Sequence, residues 1–424
     1  MAKLNFSRRE FSRTLTGALA AACAAPGLLG AASTGAAKET ADPSGCPARA
    51  GHVGMTARGE TAGSGVKAGP SGASLRETPF GMTDGKIIRI SANENPYGPS
   101  PKAKAALDVC DGVAARYPDG AERAMEEELA RFHGVKRENI LLGCGSGEIL
   151  RVADVAFVRP GMNAVAAEPT FEAVLNYVGV LRAEPVKVAL TSDHRHDLQR
   201  MAAACTSKTG LVYVCNPNNP TATIVRKAEL SDFIPRVPAT TTILVDEAYF
   251  HFVEDPAYGS AMGWIGEHPN VVVARTFSKV YGMAGMRLGY AVGAKETIAR
   301  MRERTLYSNA NAGVLAAALA SLNDEEYVAK CRGQINGTRE WVTGELKKDG
   351  REVVESHANF FMVNMGTDVK PVIEAFRAKG IEVGRRFPSM GNYLRVTVGT
   401  REEMEAFLGA FREIAPAVRA AKAA

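Results

Sequence analysis

Residues 271–279, Val271-Val272-Val273-Ala274-Arg275-Thr276-Phe277-Ser278-Lys279, run apolar for four positions and then stop in charge and hydroxyl. A stretch apolar at consecutive positions, rather than at every second one, suits a strand buried on both faces of a mainly parallel sheet. Similar runs recur at 139–142, 163–167, 210–215, 242–245 and 288–292, each ending in a turn or a polar cluster. Helical stretches between them supply the crossovers, and 122–133 places Met125, Leu129 and Phe132 on one face. The sequence therefore predicts an α/β fold with ligand chemistry at the carboxyl ends of the strands. Near residue 300 the pattern changes. Helical stretches at 369–376 and 404–414 alternate with short strands at 360–363 and 394–398, which reads as a smaller α+β domain. The expected division is 81–300 for an N-terminal arm and large domain, and 301–424 for the small one.

A chain of 424 residues, 46% hydrophobic and 23% charged, can bury a sizeable core and is neither collagenous nor a small disulfide scaffold. Its 51 basic and 46 acidic residues leave +5, too balanced to point to nucleic acid. The front differs from the rest. Lys3, Arg8, Arg9 and Arg13 precede a mostly apolar run over 15–29, and small residues follow to Ala37, the layout of a secretory signal. Ser7-Arg8-Arg9-Glu10-Phe11-Ser12-Arg13 resembles a twin-arginine signal, which implies passage through an export machinery already folded, to the periplasm or beyond. Cleavage is expected near Ala37, and 38–80, rich in Gly and without periodicity, as a flexible arm. No apolar run is long enough for a membrane span, so a soluble mature protein is expected. The cysteines include no Cys-x-x-Cys pair; small buried thiols are expected of most, with a disulfide left open.

The polar ends of the strands carry the chemistry. Lys279 follows an apolar run, with Thr276 and Ser278 before it and Arg287 eight residues on, a set that suits a phosphorylated aldehyde cofactor. Lysine forms a Schiff base with a carbonyl, and the hydroxyls and guanidinium can hold a phosphate. Leu244-Val245-Asp246-Glu247-Ala248-Tyr249 sets an acid at the end of a buried strand, where an unpaired carboxylate would be costly. A pyridinium nitrogen is a good partner for Asp246, and Tyr249 can reach a ring oxygen. Asn216-Pro217-Asn218-Asn219-Pro220-Thr221 forms a turn from which Asn219 can donate to the same oxygen. Gly143-Cys144-Gly145-Ser146-Gly147-Glu148 opens a helix whose free N–H groups suit an anion, without the spacing of a dinucleotide-binding turn.

Together with Ala92-Asn93-Glu94-Asn95-Pro96-Tyr97-Gly98-Pro99, Arg116-Tyr117-Pro118 and Tyr393-Leu394-Arg395-Val396-Thr397-Val398-Gly399, these stretches occur in one order over about 87–415. In that order the chain resembles the fold-type I pyridoxal-phosphate aminotransferases of class I/II, nearest to the histidinol-phosphate aminotransferase branch. The resemblance implies pyridoxal 5'-phosphate as cofactor, with Lys279 as its Schiff-base lysine, Asp246 on the ring nitrogen, and Asn219 and Tyr249 on the phenolic oxygen. It implies Phe171 stacked on the ring and Ser146, Gly147, Thr276, Ser278 and Arg287 around the phosphate. Tyr117 would reach the phosphate of a neighbouring subunit, hence a homodimer. Arg395 would clamp the substrate carboxylate, with Tyr97, Arg385 and Arg386 also on the substrate side. The activity implied is amino transfer between an amino acid, or an amino-alcohol phosphate such as histidinol phosphate, and a 2-oxo acid.

Two departures stand out. Ala222 occupies the place of a glycine usual after Asn-Pro-Thr, tolerable if the backbone there is not left-handed. Gly384-Arg385-Arg386 follows 381–383 where the family carries a single arginine for substrate phosphate, so either Arg385 or Arg386 could take that part or read a different acidic group. The same apparatus could serve a decarboxylase or lyase, or an exported binding protein without turnover. Other polar features read as ordinary. His194-Arg195-His196 is expected in a solvated loop rather than a metal site, His251 as a packed or capping residue, and the acidic run 126–128 as a solvated helix face.

Overall fold

The computed structural model describes residues 87–108 and 112–423; the expected signal, the whole of the expected arm at 38–80, Cys46 and Cys110 lie outside them. The strands are β1 (Ile88–Ile90), β2 (Ile140–Gly143), β3 (Asn163–Glu168), β4 (Glu184–Ala189), β5 (Thr209–Cys215), β6 (Thr242–Asp246), β7 (Val271–Thr276), β8 (Gly289–Gly293), β9 (Phe360–Asn364), β10 (Ile381–Val383) and β11 (Tyr393–Thr397). Seven of them form one sheet in the order β2-β8-β7-β6-β5-β3-β4. Only β8 runs against its neighbours, antiparallel to both β2 and β7. That reversal matters for function: Thr276 pairs with Gly289, so the loop carrying Lys279 leaves and re-enters the sheet at the same edge.

Consecutive residues of the central strands enter opposite cores, as consecutive apolar residues require. Val212, Val245 and Val273 belong to one cluster, while Leu211, Leu244 and Val272 belong to the other. The helix Ser146–Phe157 covers the second face with Ile149, Leu150 and Ala153, joined by Val174 and Val178 of Ala173–Val180. The first face receives Met125 and Leu129 of Asp119–His133, a helix that starts three residues earlier than its apolar face suggests. Each fully buried Val or Leu contributes roughly 1.5–3 kcal/mol relative to exposure. β4 is an edge strand whose Pro185 and exposed Lys187 break the apolar pattern, as edges demand.

Beyond the sheet, β9 pairs antiparallel with β11, and the early strand β1 pairs in parallel with β10. The helices Glu325–Lys348, Lys370–Ala378 and Arg401–Ala423 pack there, with Phe376 stacked on Phe407 at 5.3 Å. This is the smaller α+β part.

Two expectations fail on burial. Glu126 is not on a solvated face: it is buried and accepts from Arg137 and Arg302, each at 2.8 Å, so its charge is balanced across two elements. His196 is likewise buried, bonded to Asn218 at 3.0 Å. Among the described residues, Cys144, Cys205, Cys215 and Cys331 are free thiols. No helix of the described residues is long and apolar enough to cross a membrane.

Candidate active site

Lys279 sits in the loop between β7 and β8, partly buried, its ammonium donating to Asn93 O at 3.1 Å and lying 5.3 Å from the Tyr249 ring centre. Burial, and then the positive charge of Arg395, push its pKa down to about 8 against the opposing pull of Glu94 and Asp246. A lysine so placed is an accessible nucleophile and base near neutral pH.

Asp246 ends β6 and is buried. Its Oδ2 accepts from the Tyr213 hydroxyl at 2.9 Å and its Oδ1 from the Ala248 N–H at 3.1 Å. Burial still pushes the carboxyl up to about 6, over those bonds and the pull of Lys279. The next residue, Glu247, is fully buried and balanced by Arg275 at 2.7 Å and by Ser260, so the two neighbouring acids have separate duties. The Tyr249 hydroxyl accepts from Asn93 Nδ2 at 3.1 Å, and its pKa is raised by burial.

Arg395 arrives from β11. It donates to Asn219 Oδ1 and to Ser91 O, both at 2.7 Å, while its buried Nε has no hydrogen-bond partner. Burial lowers its pKa to about 10. A buried guanidinium with a donor left over is a site for a carboxylate.

The phosphate group of residues also assembles. Thr276 and Ser278 bond to each other at 3.0 Å, and Arg287 Nη1 reaches Ser278 Oγ at 3.4 Å and Ala284 O at 2.9 Å. Gly145 and Gly289 make this convergence sterically allowed. A Cβ on Gly145 would stand 2.2 Å from Arg287 Nη2, and one on Gly289 2.3 Å from Ser146 N. The N-terminus of Ser146–Phe157 and the Arg287 guanidinium thus face one small volume, with Gly147 leaving open space beside it. Glu148 ties the turn down by accepting from Cys144 N at 2.5 Å and from Asn309.

The remaining candidates are distributed unevenly. Phe171 is 39% exposed, beside Glu172. Arg385 pairs with Glu172 and lies over the Phe387 ring at 4.2 Å, whereas Arg386 turns to Asp368 at 2.6 Å. Of the two, Arg385 is the one near Arg395, whose guanidinium lies 5.3 Å from the same Phe387 ring. Tyr97 has Cys331, Thr338 and Glu402 among its neighbours, and its carbonyl accepts from Tyr327. Tyr117 is 86% exposed. His251 is packed between the rings of Phe250 and Tyr281. Among the described residues no group of three or more His, Cys, Asp or Glu could hold a metal ion.

Ala222 overturns its expectation: its φ is +63°, the left-handed region that glycine fills without strain. Its N–H bonds to Asn218 O at 2.7 Å and its carbonyl accepts from His357 N, which hold the turn in place. Asn93 is legible in the sequence only as part of a motif, yet it contacts Lys279, Tyr249 and Thr397 and carries φ +56°. Its signal is the Asn-rich stretch 93–95. Tyr213, one strand over from Asp246, leaves no signal in an apolar run.

The site fits a phosphorylated pyridine aldehyde on its own geometry: an amine, a buried acid wanting a cationic partner, and an anion cradle that a Cβ would fill. Comparison with known proteins agrees in kind. The family model described as aminotransferase class I and II matches residues 85–411. The histidinol-phosphate aminotransferase of Moorella thermoacetica is 39% identical over 331 residues, 77% of this chain and 85% of that protein. An aromatic amino acid aminotransferase of Thermobifida fusca is 37% identical over 325 residues, 77% of this chain and 89% of that one. The crystal structure of histidinol-phosphate aminotransferase from Sinorhizobium meliloti with pyridoxal-5'-phosphate superposes with a TM-score of 0.74 at 27% identity, covering 78% of this chain and 91% of that one. With its lysine loop, acid-ended strand and glycine cradle in one α/β frame, the chain belongs to the class I and II aminotransferases.

Proposed function

We propose that the protein is a pyridoxal-phosphate-dependent aminotransferase acting between an amino donor and a 2-oxo acid. The observation that carries this is the grouping of Lys279, Asp246, Tyr249 and Asn219 around the loop edge of the sheet, with Arg395 reaching in from β11. Pyridoxal phosphate, when bound, supplies the carbonyl that captures amines and the ring that delocalises charge from the substrate α-carbon. Lys279 provides the amine that holds the cofactor and then serves as the base that moves the α-proton, for which a pKa near the working pH is suited. Asp246 keeps the ring nitrogen protonated. Arg395 orients the carboxylate of an amino acid or 2-oxo acid, or the equivalent anion of a donor that lacks one, through the Nε donor that Asn219 and Ser91 leave free.

For the donor, we propose histidinol phosphate or a similarly acidic amine, with Arg385 binding the anionic end once it exchanges Glu172 for substrate. A second reading has a specific support. Because Glu172 already balances Arg385 above the Phe387 ring, uncharged aromatic donors are favoured if that ion pair persists. Following the cofactor spectrum while amino donors are added to the loaded enzyme separates them. Rapid conversion by histidinol phosphate alone supports the first; conversion by phenylalanine or tyrosine supports the second. Released carbon dioxide in place of a keto acid would refute both.

The exposed Tyr117, with Leu306 and Tyr307, supports a homodimer in which Tyr117 approaches the neighbour's phosphate. The twin-arginine segment at 7–13 supports export of a folded, cofactor-loaded enzyme to the periplasm or beyond. Replacing Arg8 and Arg9 by Lys should abolish export while leaving activity in the cytoplasm.

A further inference from the structure

The side chain of Asn218 makes four hydrogen bonds, all buried. Its Oδ1 accepts from Thr170 Oγ1 at 2.8 Å and meets His196 Nε2 at 3.0 Å. Its Nδ2 donates to Pro169 O at 3.2 Å and to Thr221 Oγ1 at 2.8 Å. A primary amide has two acceptor sites and two hydrogens, so these contacts exhaust it. The oxygen can only accept. His196 must therefore carry its proton on Nε2 and donate. The direction then propagates: Thr221, having accepted, donates to Thr223 Oγ1 at 2.8 Å, and Thr223 donates to His194 O at 2.8 Å. Every proton in the chain has one place to be.

This network joins two turns that otherwise share no strand pairing at that point, 169–172 and 216–223. Thr170 directly precedes Phe171, and Asn218 directly precedes Asn219. A rotation of the Asn218 amide would therefore move both side chains at once. Nothing else among its side-chain partners can replace His196, because Thr170 holds only one of the two acceptor sites. His196 is 6% exposed and its Nδ1 has no hydrogen-bond partner, so the ring is suited to its single donor bond. Burial keeps the imidazole neutral, with a pKa lowered to about 4, and the tautomer is thus stable over the working range.

We propose that His196 is a positioning residue of the cofactor site: through Asn218 it sets the spacing between Phe171, assigned to the ring face, and Asn219, assigned to the phenolic oxygen. The inference rests on the proposed pyridoxal-phosphate function. His196 lies in a loop, as its polar neighbours suggest, but is buried there rather than solvated.

The test titrates the full-length, cofactor-stripped chain with pyridoxal phosphate. The visible absorbance band reports the dissociation constant and the pH midpoint of the band. His196→Leu leaves Asn218 Oδ1 short of a donor in a dry site and should weaken binding about tenfold, with the band midpoint moved by about half a pH unit. His196→Gln, whose amide can donate, should bind within about threefold of the wild type. Thr170→Val removes the other donor to the same oxygen and should act in the same direction, which covers a His196→Leu chain that fails to fold. Unchanged affinity and band midpoint in the leucine and valine variants would overturn the proposal. So would a lower thermal midpoint of the cofactor-free protein with both cofactor readouts unmoved, since that is a structural role only. A wild-type chain that gives no band would overturn the assigned function together with this inference.

Discussion

The N–H of Gly384 donates to the carbonyl oxygen of Arg395 at 2.9 Å, and a Cβ on Gly384 would stand 2.6 Å from that same oxygen. Position 384, directly after β10, is closed to side chains by the backbone of Arg395, the residue proposed to bind substrate. The guanidiniums therefore come from 385 and 386, and alternation sends them to different partners, Glu172 and Asp368.

Restoring an arginine by Gly384→Arg should for this reason fail to build a phosphate site. The added side chain forces β10 away from β11 and should cost about 1–3 kcal/mol, as overpacking does. Arg395 moves with its own carbonyl, so KM for the amino donor should rise. Denaturant unfolding and steady-state kinetics measure the two effects; a variant as stable as wild type, with unchanged KM, would contradict the argument.

Lys279 should control the pH dependence of cofactor capture. Only the neutral amine attacks a carbonyl, and burial moves the midpoint for proton loss down from the usual lysine value to about 8. Capture by the cofactor-free protein should therefore rise roughly tenfold per pH unit below that midpoint and level off above it. Arg395 is the second cause of the depression, so Arg395→Gln should shift the midpoint upward. Lys279→Ala should lower the half-reaction by about 10²–10⁴. Stopped-flow mixing between pH 6 and 10 reads all three, and a flat profile would exclude Lys279 as the amine.

Much of this arrangement is written locally in the chain. The central strands declare themselves by consecutive apolar residues, and Asp246 and Lys279 stand out because polar groups follow those runs. What escapes reading depends on register and depth. Tyr213 reaches Asp246 diagonally across parallel β5 and β6, a relation that exists only once Cys215 is paired with Asp246. Glu126 looks solvated in its acidic run until Arg302, from a distant helix, covers it. β4 conceals itself because an edge strand tolerates Pro185 and Lys187. His196 sits among polar neighbours, and only the fold turns it inward. Left-handed Ala222 shows the converse, a local preference overruled by the bonds of its turn.

Leu306 and Tyr307, 74% and 89% exposed, lie two residues or fewer from Ser308, which bonds to Asp119 at 2.5 Å, close in sequence to exposed Tyr117. Exposed aromatic and aliphatic residues grouped in this way mark an association surface. If the proposed homodimer forms through this surface, Tyr307→Glu combined with Leu306→Glu should convert it to a monomer in analytical ultracentrifugation and weaken cofactor binding, because the proposed contact of Tyr117 with the neighbour's phosphate would be lost. A variant that remains dimeric would place the interface elsewhere.

Asp154 makes the strongest prediction for stability. It is fully buried in the helix Ser146–Phe157, and neither carboxyl oxygen has a hydrogen-bond partner among the described residues. Burial alone pushes its pKa up to about 8. The folded protein thus keeps a proton that the unfolded chain releases near pH 4, so this group favours the folded form at low pH. That contribution fades as pH rises toward 8. At about 1.4 kcal/mol for each pH unit separating the folded and unfolded midpoints, the loss across the window is on the order of 5 kcal/mol. Asp154→Leu, which keeps the branched skeleton without the charge, should raise the thermal midpoint at pH 8 and remove the decline between pH 4 and 8. Asp154→Asn should remove the decline too, but with less gain, because it leaves a polar amide buried without partners. Thermal unfolding at several pH values checks the sign directly: a wild-type midpoint that does not fall over this window, or a leucine variant that falls in parallel with it, would show that the carboxyl finds a partner in solution.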